Sequence, residues 1–428
     1  MTVVVILAVL VVLGVPLFAI IATSALYGFS SIDIDLSVIA IEIYRIADTP
    51  VLLAIPLFTL AGYILGESKA SERLVRVTDA MLGWFPGGLA IVSLFACAFF
   101  TALTGASGAT IIALGAILYP AMKQAGYAEK FNLGLITSSG SLGLLFPPSI
   151  ALILYGVIAQ QMDIGENVAI DDLFIAGLLP GLFMLVLLTA WSMYKSTGMH
   201  IQRAEFNWHR LVSALRESIW ELPMPFVLVG GIYTGYFAIS EAAAVAVLYV
   251  LIVEVVILRE VPLKKLPEIM RDSMVLVGGV LIILAVSLAS TNYLIDTEVP
   301  TRLFDFVKEH IDSKLTFLIL LNIFLLMLGM ILDVFSALVI MVPLILPMAV
   351  GYGINPIHLG IIFLANMQIG YFTPPVGMNL FIASYRFRKP VTELYASTIP
   401  FMFILMAAVL VITYWPELTL YLVENRAK

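Results

Sequence analysis

The segment Gly370-Tyr371-Phe372-Thr373-Pro374-Pro375-Val376-Gly377-Met378-Asn379 lies inside an apolar stretch running from residue 315 to residue 385 and interrupted by Asp333. A pair of prolines cannot continue a regular helix, because each lacks a backbone donor and crowds the carbonyl four residues upstream. In hydrocarbon such a break survives only buried in protein or lining a cavity. An earlier apolar stretch carries the same device as Gly143-Leu144-Leu145-Phe146-Pro147-Pro148-Ser149. Gly143, Pro147 and Pro148 each stand 227 residues before Gly370, Pro374 and Pro375, and Pro120 and Gly126 stand at the same offset from Pro347 and Gly353. The neighbouring texts rhyme as well, Ile117-Leu118-Tyr119-Pro120 against Leu344-Ile345-Leu346-Pro347. Five such coincidences in a chain with 30 Gly and 21 Pro mark an internal repeat.

The rest of the chain fits that reading. Of 428 residues, 61% are hydrophobic and 12% charged, against about 45–50% and about 25% in soluble domains. Apolar runs cover residues 1–32, 51–66, 80–122, 131–162, 173–194, 222–258, 273–295, 315–385 and 394–416. Several exceed the ~20 residues of a single crossing. The longest polar stretch, 195–221, is too short to bury a core, so no soluble catalytic domain is expected. The single cysteine, Cys97, lies in an apolar run and has no internal disulfide partner. The first charged residue is Asp33 and no basic n-region precedes it, so the opening run reads as a retained helix. No nucleotide-binding loop, metal cluster or basic nucleic-acid patch is present.

Loop charge gives an orientation. Lys and Arg gather in residues 67–79, 195–221, 259–272 and 386–390, whereas 33–48 and 163–172 are mainly acidic. The positive-inside rule places the first group in the cytoplasm and the second outside, with the N-terminus cytoplasmic and the C-terminus periplasmic. Trp84, Trp191, Trp220 and Trp415 fall near span ends, as interfacial anchors do. Residue 79 and the loop 123–130 are then on one side, so the run between them enters and returns, its tip near 103–108. The run 315–350 does the same from the opposite side.

The expected fold is an all-α polytopic membrane protein built of two inverted-topology repeats, each with a re-entrant hairpin and a broken helix. Residues 1–50 form an N-terminal helix and acidic arm. Repeat one covers 51–194, with its hairpin at about 86–122 and broken helix at 131–162. A cytoplasmic linker and two connecting helices occupy 195–272. Repeat two covers 273–416, with its hairpin at about 315–349 and broken helix at 358–385, before a tail at 417–428. Inverted repeats with breaks at corresponding positions point to the binding site of a secondary transporter.

The chemistry follows from four breaks: 104–110, 143–149, 329–333 and 370–379. Carbonyls released by proline, joined by hydroxyls such as Ser107 or Thr373, suit a hard cation such as sodium. Half-helices that begin after each break turn free N–H groups and a positive dipole end toward an anion. No Lys or Arg occurs in 80–122, 131–162 or 315–385, so an anionic substrate there would be met by helix ends and bound cations. Asp333 is an intramembrane acid at a hairpin tip, a candidate substrate or ion contact as well as a helix cap. Thr110, Ser149, Pro374 and Asn379 stand in the same breaks and complete the candidate substrate contacts. Glu241 and Glu254 lie outside the repeats and read as helix-end or interhelical residues.

These motifs resemble the large membrane subunit, the DctM type, of tripartite ATP-independent periplasmic (TRAP) transporters. The resemblance spans essentially the whole chain and is most specific at 105–115, at 143–149 followed by Tyr155-Gly156, at 329–333 and at 370–380. It implies an elevator-type carrier at the bacterial inner membrane, coupled to sodium as a transported ion and using no organic cofactor. It also implies substrate delivery by a periplasmic binding protein and a separate small DctQ-type membrane subunit. Carried over by motif, one sodium site comprises Ser107, Gly108, Gly143, Phe146 and Pro148, the other Gly329, Gly370, Thr373 and Val376. The chain departs from the family's usual Gly-Ile-Phe-Thr-Pro-Thr-Glu-Ala at residues 235–242, outside both sites.

The expected function is sodium-coupled uptake of a small organic acid, a carboxylate or related anion, without enzymatic activity. A stand-alone ion-coupled symporter of a related fold is the alternative. A remoter one is an intramembrane serine protease, from Gly105-Ala106-Ser107-Gly108, although His200, His209 and His310 lie in polar segments and His358 opens a span at the far surface.

Overall fold

The computed structural model describes residues 7, 9, 10, 13–32, 34–162, 164–199, 201 and 205–426. Most of the opening run before residue 13, with Asp33, Asp163, His200 and the last two residues, lies outside the described residues. Among the described residues the chain is helical, without strands. Among the described residues, seven helices are long and apolar enough to cross a membrane, or eight if a pair bent by 41°, Glu129–Leu145 and Ile150–Met162, counts as one span.

The elements recur along the chain. Pro50–Glu67 is followed by a polar helix, Ala70–Leu82, and Leu263–Asp296 by another, Val299–His310. Next come helix pairs that turn back at a tip: Gly88–Thr104 with Ser107–Gln124, and Lys314–Ile331 with Val334–Gly351. Ser107 and Val334 open their helices 227 residues apart, as do Glu129 and Pro356. The broken helices follow. Glu129–Ser139 passes through one tight turn, Leu142–Leu145, and resumes as Ile150–Met162. Pro356–Gly370 breaks and resumes as Met378–Phe387. Each copy closes with a long helix, Ile170–Ser196 or Val391–Tyr414.

Local chemistry explains the tips. Gly105 ends its helix at φ 67°, a left-handed cap that favours glycine. At the second tip, Leu332 is extended and Asp333 caps the helix that follows. Every residue of Pro356–Gly370 is buried, and most of Ile150–Met162 is too, so these helices, apolar on all sides, form the centre. Asn322 accepts hydrogen bonds from Asn366 Nδ2 at 2.7 Å and from Thr413 Oγ1 at 3.2 Å. That buried contact ties three helices together where lipid gives little driving force between apolar surfaces.

Two segments differ from the sequence expectation. The polar linker ahead of the two connecting helices, Pro223–Tyr233 and Ile239–Val250, itself holds an amphipathic helix, Trp208–Glu217. The 417–428 tail contains a helix, Glu417–Arg426, whose Arg426 bridges to Asp171 at 2.6 Å. That partner lies 255 residues away and was invisible in the local pattern.

Candidate functional site

A cavity of about 530 Å³ opens where the two hairpin tips meet the outer helices. Gly105, Ser107 and Gly108 line it from the first tip, Asp333 and Val334 from the second, and Tyr371 from the second broken helix. Tyr63 and Glu67 of Pro50–Glu67 close the opposite wall. Among the described residues, no Lys or Arg lines it.

The first tip is held by a buried polar cluster. Ser107, 3% exposed, donates to Asn379 Oδ1 at 2.9 Å, so the tip of one copy bonds the broken helix of the other. Asn379 Nδ2 faces the Thr137 carbonyl at 3.4 Å. Thr101 donates to the Gly140 carbonyl at 2.8 Å and sits 2.6 Å from the Thr110 hydroxyl. Thr101 has one proton and spends it on Gly140, so Thr110 donates to Thr101. A Cβ on Gly108 would meet Ile382 at 2.6 Å, which shows how closely the tip approaches Met378–Phe387. Thr137, fully buried, keeps a hydroxyl oxygen without a partner beside this cluster.

At the second tip, Asp333 Oδ1 accepts from the Phe335 and Ser336 N–H groups at 3.0 Å, and Oδ2 accepts from Ser336 Oγ at 2.5 Å. The carboxylate is therefore a helix cap whose outer face borders the cavity. Tyr371, 3% exposed, accepts from the Val334 N–H through its hydroxyl at 2.6 Å. Gly329 and Gly370 touch backbone to backbone: a Cβ on Gly370 would lie 2.6 Å from Gly329 Cα.

The other candidates are spread around these tips. Gly143 packs against Thr101 and Phe146 against Gly181, and neither these nor Pro148, which is buried, lines the cavity. Ser149 accepts from the Leu152 N–H at 3.3 Å and so caps the resumed helix. Thr373 donates to the Ile369 carbonyl at 2.8 Å. Pro374 is half-buried, and Val376 is 45% exposed. The peptide bonds Pro147–Pro148 and Pro374–Pro375 are both cis. His358 bonds Thr419 Oγ1 and the Thr413 carbonyl, and His310 bonds the Phe306 carbonyl. Sequence reasoning missed Tyr371, although it stands inside the quoted break. It also missed Tyr63 and Glu67, which no local pattern marks.

Comparison with known proteins follows the same lines. A family model described as tripartite ATP-independent periplasmic transporter, DctM component, matches residues 4–418. The C4-dicarboxylate TRAP transporter large permease protein DctM of Rhodobacter capsulatus is 32% identical over 92% of this chain and 91% of its own length. The isethionate TRAP transporter permease protein DctMQ of Oleidesulfovibrio alaskensis is 31% identical over 97% of this chain, which spans 65% of that longer protein. The crystal structure of the Alcanivorax borkumensis YdaH transporter superposes with a TM-score of 0.62 at 15% identity, covering 88% of this chain and 87% of that one, a likeness of fold.

Proposed function

The chain belongs to the DctM family, the DctM component of tripartite ATP-independent periplasmic transporters, and from that membership we propose that it takes up a small organic acid by sodium-coupled, elevator-type secondary transport. The substrate is a carboxylate or related anion. The observation that carries this reading is the cavity of about 530 Å³ bounded by both hairpin tips and by the outer helix Pro50–Glu67. An alternating-access carrier needs one site shared by both copies and walled by a surface they can slide past.

The cavity's charge supports ion coupling. Among the described residues an anion there meets no Lys or Arg side chain; the N-terminal ends of the helices beginning at Ser107 and Val334 face it, beside the carboxylates of Glu67 and Asp333. Sodium bound in the two breaks supplies the missing positive charge, through Ser107, Gly108, Gly143, Phe146 and Pro148 in one and Gly329, Gly370, Thr373 and Val376 in the other. Thr110, Ser149, Asp333, Pro374 and Asn379 complete the substrate side. The hairpins and broken helices move together past Pro50–Glu67, Ile239–Ile257 and Leu263–Asp296.

The carrier sits in the inner membrane with its N-terminus cytoplasmic and its C-terminus periplasmic, from the Lys and Arg bias of its loops. A periplasmic binding protein delivers substrate, and a small membrane subunit on a separate chain completes the tripartite system. Uptake into proteoliposomes, with the cognate binding protein present, tests this. It should require an inward sodium gradient and no ATP. Undiminished uptake in sodium-free medium under a proton gradient alone would overturn the coupling.

A further inference from the structure

A second cavity, of about 260 Å³, lies at the other end of the helices that wall the first. Thr49, just ahead of Pro50–Glu67, lines it, whereas Tyr63 and Glu67 at the far end of that span line the cavity at the tips. The length of the helix sets Thr49 and Glu67 roughly 25 Å apart. The repeat relates the two spaces. Thr49 and Leu276 stand 227 residues apart, as do Ile112 and Val339. Thr49 and Val339 line the second cavity, and their counterparts Leu276 and Ile112 line the first. The cavities thus take opposite members of both pairs, as the two ends of one pathway through an inverted repeat would.

Their charges are opposite as well. The tip cavity has the carboxylates of Glu67 and Asp333 on its walls and, among the described residues, no Lys or Arg. Glu67 also pairs with Lys265. The second cavity has the guanidinium of Arg45 and, among the described residues, no Asp or Glu. Asp48 and Asp296, exposed beside it in the chain, are not on its walls.

The donors suit a carboxylate. Arg45 is exposed and engaged elsewhere too, but a guanidinium carries five N–H donors in a fork that matches a carboxylate. Gln161 and half-buried Asn292 add side-chain amides that have no hydrogen-bond partner among the described residues. An ionised carboxylate leaves water readily only where it is both paired and hydrogen-bonded, and these three residues offer both. The cavity also lies on the boundary between the parts taken above to slide past one another. Gln161 and Val339 belong to a broken helix and a hairpin, Asn292 to Leu263–Asp296, and Ser287 of that last helix donates to the Val339 carbonyl at 2.8 Å.

We propose that this cavity is a capture site for the organic anion, in which Arg45 pairs with a carboxylate and Gln161 and Asn292 donate to it before the anion passes to the hairpin tips. The proposal rests on the uptake reading above. Because Arg45 supplies the positive charge itself, capture needs no sodium, unlike binding at the tips.

Protection of a cysteine tests this on the purified full chain. Ile295, 41% exposed, lines the cavity, and Ile295→Cys in a Cys97→Ala background should react with a neutral maleimide. Succinate at about 10 mM should slow that reaction about fivefold, as occupancy of a site of about millimolar affinity requires. Neutral succinamide should not slow it. Protection should be equal with and without sodium, vanish in Arg45→Gln and survive in part in Arg45→Lys, which keeps the charge. Ser313→Cys, exposed and outside the cavity, should stay unprotected throughout. No protection by succinate, protection that depends on sodium, or protection retained in Arg45→Gln would overturn the proposal. Protection by phosphatidylglycerol in place of succinate would overturn it too, by making this a lipid headgroup site. The readout involves no uptake. Failed protection beside sodium-driven uptake would remove the capture site alone, and intact protection beside sodium-independent uptake would remove only the coupling.

Discussion

The hydroxyl of Ser141 donates to the main-chain carbonyl of Gln368 at 2.8 Å, and these two residues stand 227 positions apart, the offset that separates the paired prolines. The contact sets the two broken helices side by side, next to the helix Pro356–Gly370 that is buried along its whole length. Cavity, breaks and fully buried helices then all belong to one region.

If the copies are inverted in the membrane, the loop after the first hairpin and the loop beside the second face opposite compartments. Gln124 and Ser313 are exposed at those ends, and Lys314 donates to the Gly353 carbonyl at 2.7 Å, which places Ser313 beside the second loop. Gln124→Cys and Ser313→Cys, each in a Cys97→Ala background, should react with an impermeant thiol reagent from opposite sides. Reaction of both from the same side would remove the inverted arrangement.

The breaks and their pairing were legible in the sequence because proline and glycine act locally, and a shared offset needs no structure to be seen. Asp333 was legible as both acid and cap, since an Asp before an apolar run at a tip is a local signal. The Ser107–Asn379 bond was not legible, because its partners lie 272 residues apart and nothing in either segment announces the other. Tyr63 and Glu67 were missed for the same reason: they matter through the surface they present to the tips. The Glu417–Arg426 helix is held in place by ion pairs to a distant helix, so its short polar text read as a tail.

Asp333→Ala should destabilise the second tip by about 0.5–2 kcal/mol, the usual worth of an N-cap, because Phe335 and Ser336 lose their common acceptor. Asp333→Asn keeps an acceptor oxygen and should recover most of that stability in a thermal melt. If the negative charge also serves ion or substrate binding, Asp333→Asn should still transport poorly despite its stability. Wild-type uptake by Asp333→Asn would reduce this residue to a cap.

Gly370→Ala would place a methyl group 2.6 Å from Gly329 Cα, where the obstacle is backbone that no rotamer change can clear. Overpacking of this kind costs about 1–3 kcal/mol. The variant should melt several degrees lower and lose most of its uptake. A control, Gly278→Ala, adds a methyl where nothing lies within 4 Å and should be silent in both assays. An undisturbed Gly370→Ala would mean that the two helices separate more easily than their contact implies.

Thr373 gives the sharpest test of the second ion site. Its hydroxyl donates to the Ile369 carbonyl at 2.8 Å, so the proton is committed while the oxygen lone pairs stay available to a cation. Thr373→Val keeps the shape of the side chain, replaces the hydroxyl with a methyl group, and removes both features. Were the hydroxyl only a back-bond of the kind threonines make within helices, the loss would appear as a lower melting temperature with unchanged sodium dependence. Were it a ligand as well, the half-saturating sodium concentration for uptake should rise roughly tenfold, equivalent to about 1.4 kcal/mol, at near-normal abundance in the membrane. Thr373→Ser, which restores the oxygen without the methyl group, should return sodium dependence toward the wild type. A well-expressed Thr373→Val with normal half-saturation would exclude Thr373 from the site, and the Gly370–Val376 break would then have to bind sodium through main-chain carbonyls alone.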